Sequence, residues 1–81
     1  MMIFAFVNIY QIVGNNIRGF RNKKGWTQEK LAIRAEMNIN YIGCIERAEK
    51  KVTLETMVKI ARTLRIRPNL LLIENAYDLN D

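Results

Sequence analysis

Basic side chains are the groups in this chain whose number and spacing point most directly to chemistry. All 13 Lys and Arg residues lie between residues 18 and 67, where only five Glu residues accompany them and the net charge is +8. Such a segment suits a polyanion, because each neutralised phosphate releases condensed counterions and makes binding depend on salt. A solubilising surface is the alternative, and charge alone favours neither interpretation.

Nucleophilic, metal-binding and redox chemistry find little support in the 81 residues. The chain has one cysteine, Cys44, and no histidine, so it offers no internal disulfide, no Cys/His zinc set and no imidazole base. Its carboxylates are scattered, and no glycine-rich phosphate loop occurs. We therefore expect a protein that is not an enzyme, has no metal site, cofactor or small-molecule substrate, and keeps its thiol reduced in the cytoplasm.

Length and composition predict one small folded domain over residues 1–81. An apolar fraction of 49% with one proline and four glycines indicates a helix-rich chain with a single compact core. The apolar extension at residues 1–8 has no basic leader, is too short to span a bilayer and is not followed by a small-residue cleavage site. We interpret it as packing surface, expect no membrane partner, and assign residues 74–81 to an acidic tail.

Two short helices with helix-turn-helix spacing must position the basic side chains. From Gln28, apolar residues recur at offsets of 3, 4, 7, 9, 14 and 17, which places two amphipathic helices back to back. Thr27 caps the first helix, residues 28–35, and Asn38 caps the second, residues 39–47. Such a unit projects the first turn of its second helix outward, where that turn can enter a DNA major groove.

Three further helices complete an all-α prediction. Apolar residues repeat at helical intervals before Gly25, after the capping residue Thr53 and after Pro68, which suits the first turn of a helix. Gly14 and Gly19 should each cost the first of these helices up to ~1 kcal/mol relative to Ala. No stretch has a credible strand pattern. The chain is therefore expected to form five helices, at residues 9–24, 28–35, 39–47, 54–64 and 68–73.

Three segments in order resemble the Cro/repressor-like, or Xre-type, helix-turn-helix family. They read IRGFRNKKGWTQEKLA, NINYIGCIER and TLETMVKIARTLRIRP, and the likeness covers about residues 12–73. The resemblance implies the lambda-repressor-like fold, a five-helix bundle that contains the helix-turn-helix. It also implies a DNA-binding regulator of transcription, such as a repressor, and the stretch YIGCIERAEKKVTLETM resembles the restriction-modification controller proteins.

The resemblance also implies which positions would meet DNA. Gln28 would clamp a backbone phosphate and brace the recognition helix, and the amide of Asn40 can pair with adenine through two hydrogen bonds. The other base-reading positions offer little hydrogen bonding, so specificity is expected to depend partly on DNA shape. The positions for base contact are Ile39, Asn40, Gly43 and Cys44. Those for further phosphate contact are Thr27, Asn38, Tyr41, Arg47, Lys50 and Lys51. A solvated or locally packed side chain is the alternative at each.

Arg21 and Glu46 match a pair that forms a partly buried salt bridge between the first and third helices of the family. We assign this pair to structure, with a phosphate contact by the arginine as an additional possibility. The chain departs from the family pattern at three turn positions. Glu36 replaces a usual glycine and must accept a left-handed backbone at a cost of ~1 kcal/mol. Ala48 replaces another glycine, and Val52 replaces a proline.

Surplus apolar surface predicts a homodimer. Leu70–Ile73 run consecutively on a short predicted helix, so their side chains cannot all face one core. A single small motif also reads few bases, so two half-sites about one helical turn apart are expected. A local cover over the core is the alternative. The predicted interface consists of Leu70, Leu71, Ile73 and Tyr77, with Leu72, Leu79, Ile3, Phe4 and Phe6 as additional candidates.

Two functional hypotheses follow from these observations. The first is a homodimeric transcription regulator that places helix 39–47 in the major groove of double-stranded DNA at a palindromic operator. It would repress, or it would activate by contacting RNA polymerase. The alternative is a protein-interaction module or an antitoxin-like protein that uses the same fold to bind a partner. The salt dependence of binding to random duplex separates the two, because only phosphate neutralisation makes it steep.

Overall fold

The structure, a computed structural model, describes residues 8–79 and contains four α-helices followed by two short 3₁₀ helices. The candidate interface residues Ile3, Phe4 and Phe6 lie outside the described residues. Within residues 8–79 there is no strand, and no helix is both long and apolar enough to cross a membrane. The α-helices are α1 (Ile9–Lys23), α2 (Gln28–Ala35), α3 (Ile39–Glu46) and α4 (Leu54–Leu64), and the 3₁₀ helices cover Pro68–Leu72 and Ala76–Asp78.

The expectation of five α-helices is wrong, because the segment after Pro68 forms 3₁₀ turns instead. Ile73 ends the first of these turns in an extended conformation, with φ −100° and ψ 120°. So short a segment repays little of the cost of α-helix nucleation. The side chain of Asn16 also binds the carbonyl oxygens of Leu70 and Leu71, which a continuing α-helix would need as acceptors. The fold is nevertheless all-α and lambda-repressor-like.

Side-chain caps set the starts of the α-helices. The predicted caps are confirmed: oxygens of Thr27, Asn38 and Thr53 accept backbone N–H groups at 3.0, 2.7 and 3.1 Å. The cap of α1 was not predicted. It is Asn8, whose Oδ1 accepts the N–H of Tyr10 at 2.9 Å. Because these bonds are local, three of them could be predicted from residue type and position.

The core lies where α1, both helices of the motif and α4 meet. Seven side chains are the largest that are fully buried, and each large aliphatic one contributes roughly 1.5–3 kcal/mol by leaving water. They include residues from every α-helix and one from the first 3₁₀ helix, so burial joins the motif to the rest of the chain. These seven side chains are Ile17, Leu31, Ile42, Ile45, Ile60, Leu64 and Leu71, and the smaller Val13 is buried with them.

Two glycines of α1 allow neighbouring elements to approach more closely than any other residue would. A Cβ atom at Gly14 would lie 2.5 Å from the carbonyl oxygen of Ile45, at the end of α3. At Gly19 it would lie 2.2 Å from the ring of Tyr77, which packs across this site. These contacts offset the low helix propensity of glycine, so both residues hold the recognition helix and the C-terminal segment against α1.

The turn between α2 and α3 has the predicted left-handed geometry. Glu36 has φ 56° and ψ 49°, which confirms the strained backbone expected where glycine is usual. Met37 donates its N–H to the carbonyl of Ala32 at 2.8 Å, so the helix end is hydrogen-bonded despite the strain. Ala48 is left-handed as well, with φ 60°. Both turns therefore keep their geometry without glycine.

Candidate nucleic-acid interface

The helix α3 turns one face to the core and the other away from it. Ile42 and Ile45 are buried, whereas Ile39 is 42% exposed and Asn40 is exposed. At 100° per residue, positions 39, 40, 43, 44 and 47 share the outer face. The structure thus places the four predicted base-contact residues side by side. Of these, Gly43 is buried and Cys44 is half-buried, because the side chain of Arg47 covers this part of the helix.

Asn40 presents a free amide at the start of this face. Its backbone N–H is held by the capping oxygen of Asn38, but its side chain has no hydrogen-bond partner among residues 8–79. Both a donor and an acceptor are therefore available for the N7 and N6 atoms of an adenine. Ile39 stands beside it and offers only apolar contact.

The capping residues keep part of their hydrogen-bonding capacity for a ligand. Thr27 and Asn38 each use the side-chain oxygen as a cap acceptor. The hydroxyl hydrogen of Thr27 and the NH₂ group of Asn38 therefore remain available as donors. Both residues are exposed and stand at helix N-termini, where backbone dipoles favour an anion. Tyr41 is different, because its ring packs half-buried against the core.

A buried carboxylate joins the three helices that carry the site. Glu46 is 2% exposed and accepts hydrogen bonds from Nε and Nη2 of Arg21 at 2.7 and 3.0 Å. Nη1 of the same arginine donates to the carbonyl oxygen of Trp26 at 2.8 Å. Arg18 adds a longer ion pair at 3.5 Å. The structure therefore brings the predicted salt-bridge pair together, and its charge is compensated inside the fold.

Gln28 also binds this carboxylate. Its Nε2 donates to Oε1 of Glu46 at 3.0 Å, which connects the first residue of α2 to the last residue of α3. The side chain thus braces the recognition helix. One amide hydrogen and the free N–H groups of the α2 N-terminus remain for a phosphate.

Arg47 is the C-cap of α3 and forms an exposed ion pair with Glu49. Its Nε and Nη2 donate to the two carboxylate oxygens at 2.9 and 3.1 Å. This hydrogen bonding lowers the pKa of Glu49 and raises the pKa of Arg47. The guanidinium group also lies 3.9 Å from Sγ of Cys44. The side chain of Arg47, which was predicted to contact phosphate, therefore lies along the helix and does not extend into solvent.

Further cations flank the motif. Lys50 and Lys51 are exposed in the turn after α3, and Nζ of Lys51 lies 6.0 Å from the ring centroid of Tyr10. The sequence analysis did not predict a second group of cations, although a tryptophan next to a helix cap among basic residues indicates one. It consists of three cations within 4.9–5.5 Å of the ring of Trp26: Lys24, Lys30 and Arg34.

The C-terminal segment is attached to α1 by one buried amide that sequence reasoning missed. Asn16 is fully buried and donates to the carbonyl oxygens of Leu71 and Ile73 at 3.0 and 2.8 Å, and more weakly to that of Leu70. Its Oδ1 accepts the N–H of Ala76 at 3.1 Å. Every polar atom of this side chain is thus used to fix the segment that carries the predicted interface.

The predicted interface residues separate into buried and outward-facing positions. Leu71 is 0% exposed in the core, and Tyr77 packs edge-on against Phe20 at 6.5 Å between ring centroids. Leu70 is half-buried, whereas Leu72 and Ile73 are 44% and 42% exposed. Leu72 also borders an open apolar depression of about 240 Å³, whose lining includes Ile9, Tyr10, Val13, Val52, Leu54 and Met57.

Metal binding has no support in the described part of the chain. No group of three or more acidic or cysteine side chains within residues 8–79 is arranged to hold an ion. Cys44 is free and half-buried beside the exposed face of α3. The arrangement is instead one of hydrogen-bond donors and cations around an outward helix face.

Comparisons with known proteins agree with this geometry. A family model described as helix-turn-helix matches residues 17–71. The control protein C.SmaI of Serratia marcescens is 39% identical over 60 residues, which cover 74% of this chain and 71% of that protein. The structure of the restriction-modification controller protein C.AhdI of Aeromonas hydrophila superposes with a TM-score of 0.74 at 34% identity, covering 76% of this chain and 94% of the other.

The crystal structure of a third relative has been determined in complex with DNA. It is SinR of Bacillus subtilis, a master regulator for biofilm formation, with a TM-score of 0.71 and 26% identity. The match covers 75% of this chain and 98% of the SinR chain. The residues that the family model matches include α2, α3 and α4 in full and the second half of α1, and the chain therefore belongs to the Xre-type helix-turn-helix family.

Proposed function

We propose that this protein is a sequence-specific DNA-binding regulator of transcription that places α3 in the major groove. The observation that carries the proposal is the outer face of α3, where the unpartnered amide of Asn40 projects while Gln28 and Glu46 fix the helix from behind. A helix held in this way can present side chains to base edges without being reordered on binding. Exposed Lys50 and Lys51 next to it supply cations for the phosphate backbone.

Within this class, we propose a controller protein of a restriction-modification system that works in the cytoplasm. C.AhdI, one of its relatives, is described as a restriction-modification controller protein, and C.SmaI is described as a control protein. The similarity to C.SmaI extends over most of both chains, so it is not confined to the motif. Regulation would follow from operator position, with repression by blocking a promoter and activation by contact with RNA polymerase. No enzymatic activity is part of this proposal.

We further propose that the protein acts as a homodimer on a palindromic operator. The apolar depression beside Leu72 is bordered by Ile9 and Leu54, which are 39% and 72% exposed. Burying such side chains contributes about 25 cal/mol per Å² of apolar surface. A two-fold interface would use the same patch on both copies, so the two recognition helices would meet two half-sites.

The experiment that tests DNA binding is selection of bound sequences from a random duplex pool, followed by affinity measurements over a range of salt concentrations. We expect a two-fold symmetric consensus and a steep salt dependence, with roughly one log unit of affinity lost per log unit of salt for each phosphate neutralised. Lys50→Ala and Lys51→Ala should weaken all sequences alike and reduce the slope by about one each, whereas Lys59→Ala on α4 serves as the control.

The same apolar depression also favours a second candidate, a protein-interaction module that binds an apolar partner. Such a protein would bind duplex DNA weakly or with a flat salt dependence, and it would show no consensus after selection. A flat slope together with no enrichment would overturn the regulator proposal. A steep slope with a symmetric consensus would remove the need for the second candidate.

A further inference from the structure

One face of α1 carries three polar side chains that have no role in the interface described above. Gln11, Asn15 and Arg18 follow one another at intervals of four and three residues, so they lie on the same face of the helix. All three are exposed, and the side-chain amides of Gln11 and Asn15 have no hydrogen-bond partner within residues 8–79. This face therefore offers uncommitted donors beside the helix-turn-helix motif.

The same three side chains line an open polar depression between α1 and the end of α3. Its volume is about 460 Å³, and Arg47 and Ala48 line its other side. Glu46 belongs to the lining as well, although its side chain is 0% exposed. Because the depression is both polar and open, it suits a charged group that stays attached to a larger molecule.

The charges around the depression leave one cation over. Arg21 compensates the charge of Glu46 through two short hydrogen bonds. Arg47 is paired in the same way with Glu49. Nε of Arg18 lies 3.5 Å from Oε1 of Glu46, a longer contact than either bond from Arg21, and the side chain is 47% exposed. Its positive charge is therefore not needed inside the fold and favours an anion in the depression.

Arg18 also lies next to the phosphate contact expected at α2. The amide of Gln28 donates to Oε1 of Glu46 at 3.0 Å, and this is the same oxygen that Arg18 approaches. Two groups that contact one oxygen atom are neighbours, so a DNA strand that meets Gln28 passes close to Arg18. A guanidinium group suits phosphate, because its planar fork can donate two parallel hydrogen bonds. The depression therefore extends the surface that the α2 N-terminus offers to a DNA strand.

We propose that this depression binds a phosphate of the DNA backbone, with Arg18 as the charged contact and Asn15 and Gln11 as neutral donors. The proposal rests on the DNA-binding function proposed above and deepens it, because it adds α1 to a footprint that otherwise comes from the motif and the turn after it. The contact carries no sequence information, since every nucleotide has the same phosphate. Its role is to raise affinity and to fix the orientation of the motif on the duplex.

The variant Arg18→Gln tests the charged contact, because it removes the charge and keeps a long polar side chain. On the duplex selected for the unmodified protein, we expect affinity to fall about five- to tenfold at about 0.1 M salt and the salt slope to decrease by about one. The consensus and the Tm should not change, since Arg18 is half exposed and makes only a long ion pair. Arg18→Lys should keep most of the slope, and Arg62→Gln on α4 is the matched control.

Replacing single phosphates of that duplex by uncharged methylphosphonates locates the contact. One replacement should weaken binding by the unmodified protein several-fold and leave the affinity of Arg18→Gln unchanged. Asn15→Ala should lower affinity about threefold without changing the salt slope, because its amide carries no charge. The same slope in Arg18→Gln as in Arg62→Gln would overturn the phosphate site while leaving DNA binding intact. A flat salt dependence of the unmodified protein would overturn the proposed function itself.

Discussion

The amide of Gln28 donates to a carboxylate oxygen of Glu46 at 3.0 Å, which joins the first residue of α2 to the last residue of α3. The same carboxylate accepts two hydrogen bonds from Arg21 on α1. One buried acid therefore fixes both helices of the motif against the helix behind them. The orientation of the recognition helix depends on an ionic network in addition to its apolar contacts.

Replacing Glu46 by Ala should destabilise the fold, because it leaves the guanidinium of Arg21 buried without its counter-charge. We expect the free energy of unfolding to fall by about 3–5 kcal/mol, which is a large part of the stability of a small domain. Urea denaturation followed by circular dichroism measures this. Glu55→Ala, in the exposed first turn of α4, is the control and should cost less than about 1 kcal/mol. Equal losses in the two variants would contradict the structural role.

Replacing Asn16 by Ala should release the C-terminal segment from α1. The change leaves the carbonyl oxygens of Leu71 and Ile73 and the N–H of Ala76 without their partner, so we expect a loss of about 3 kcal/mol. Amide hydrogen exchange should accelerate in residues 70–79 more than in α2 and α3. Asn15→Ala changes the exposed neighbour and should stay within about 0.5 kcal/mol. Uniform acceleration throughout the chain would contradict a local attachment.

The features that could be predicted from the sequence are those that depend on neighbours within one turn. The caps Thr27, Asn38 and Thr53 act over two or three residues, and the apolar spacing of α2 and α3 repeats within a few residues. Such signals depend mainly on residues close in the sequence. The left-handed backbone at Glu36 was expected for a different reason, because the family that the chain resembles usually has glycine at this turn position.

The features that could not be predicted depend on partners far along the chain. From its residue type and position, Asn16 would be expected to be an exposed helix residue. Its hydrogen-bond partners instead lie 54–60 residues away in the chain. The hydrogen bonds from Asn16 also favour a 3₁₀ helix in the segment after Pro68, although the apolar residues of that segment fit an α-helix equally well. Arg47 is a similar case, since its orientation depends on the space above Gly43 and on the carboxylate of Glu49. Residue type alone indicated only a cation near phosphate.

The apolar patch around Leu72 predicts how the proposed dimer can be broken. Leu72→Glu should leave the monomer folded, because the side chain is already 44% exposed. It would place an unpaired charge in the interface, so we expect the dimer dissociation constant to rise at least a hundredfold. Sedimentation equilibrium measures this constant. Ile33→Glu alters an equally apolar and more exposed residue on α2 and is the control. The same oligomeric state in all three proteins would exclude this patch as the interface.

The Arg47–Glu49 pair predicts a pH response confined to acid conditions. Hydrogen bonding from Arg47 lowers the pKa of Glu49 in the folded chain, so the pair is complete above the ordinary pKa of glutamate and is lost as the pH falls through the lowered value. Both side chains are about half exposed, so we expect little effect on global stability. The orientation of the guanidinium should therefore be constant at neutral pH.

Carboxyl carbon resonances of Glu49, followed by NMR through an acid titration, measure this shift. Arg47→Ala removes the donor and should move the midpoint upward to the ordinary range of glutamate, whereas Arg62→Ala should leave it where it is in the unmodified protein. An identical midpoint in all three proteins would mean that the pair does not form in solution.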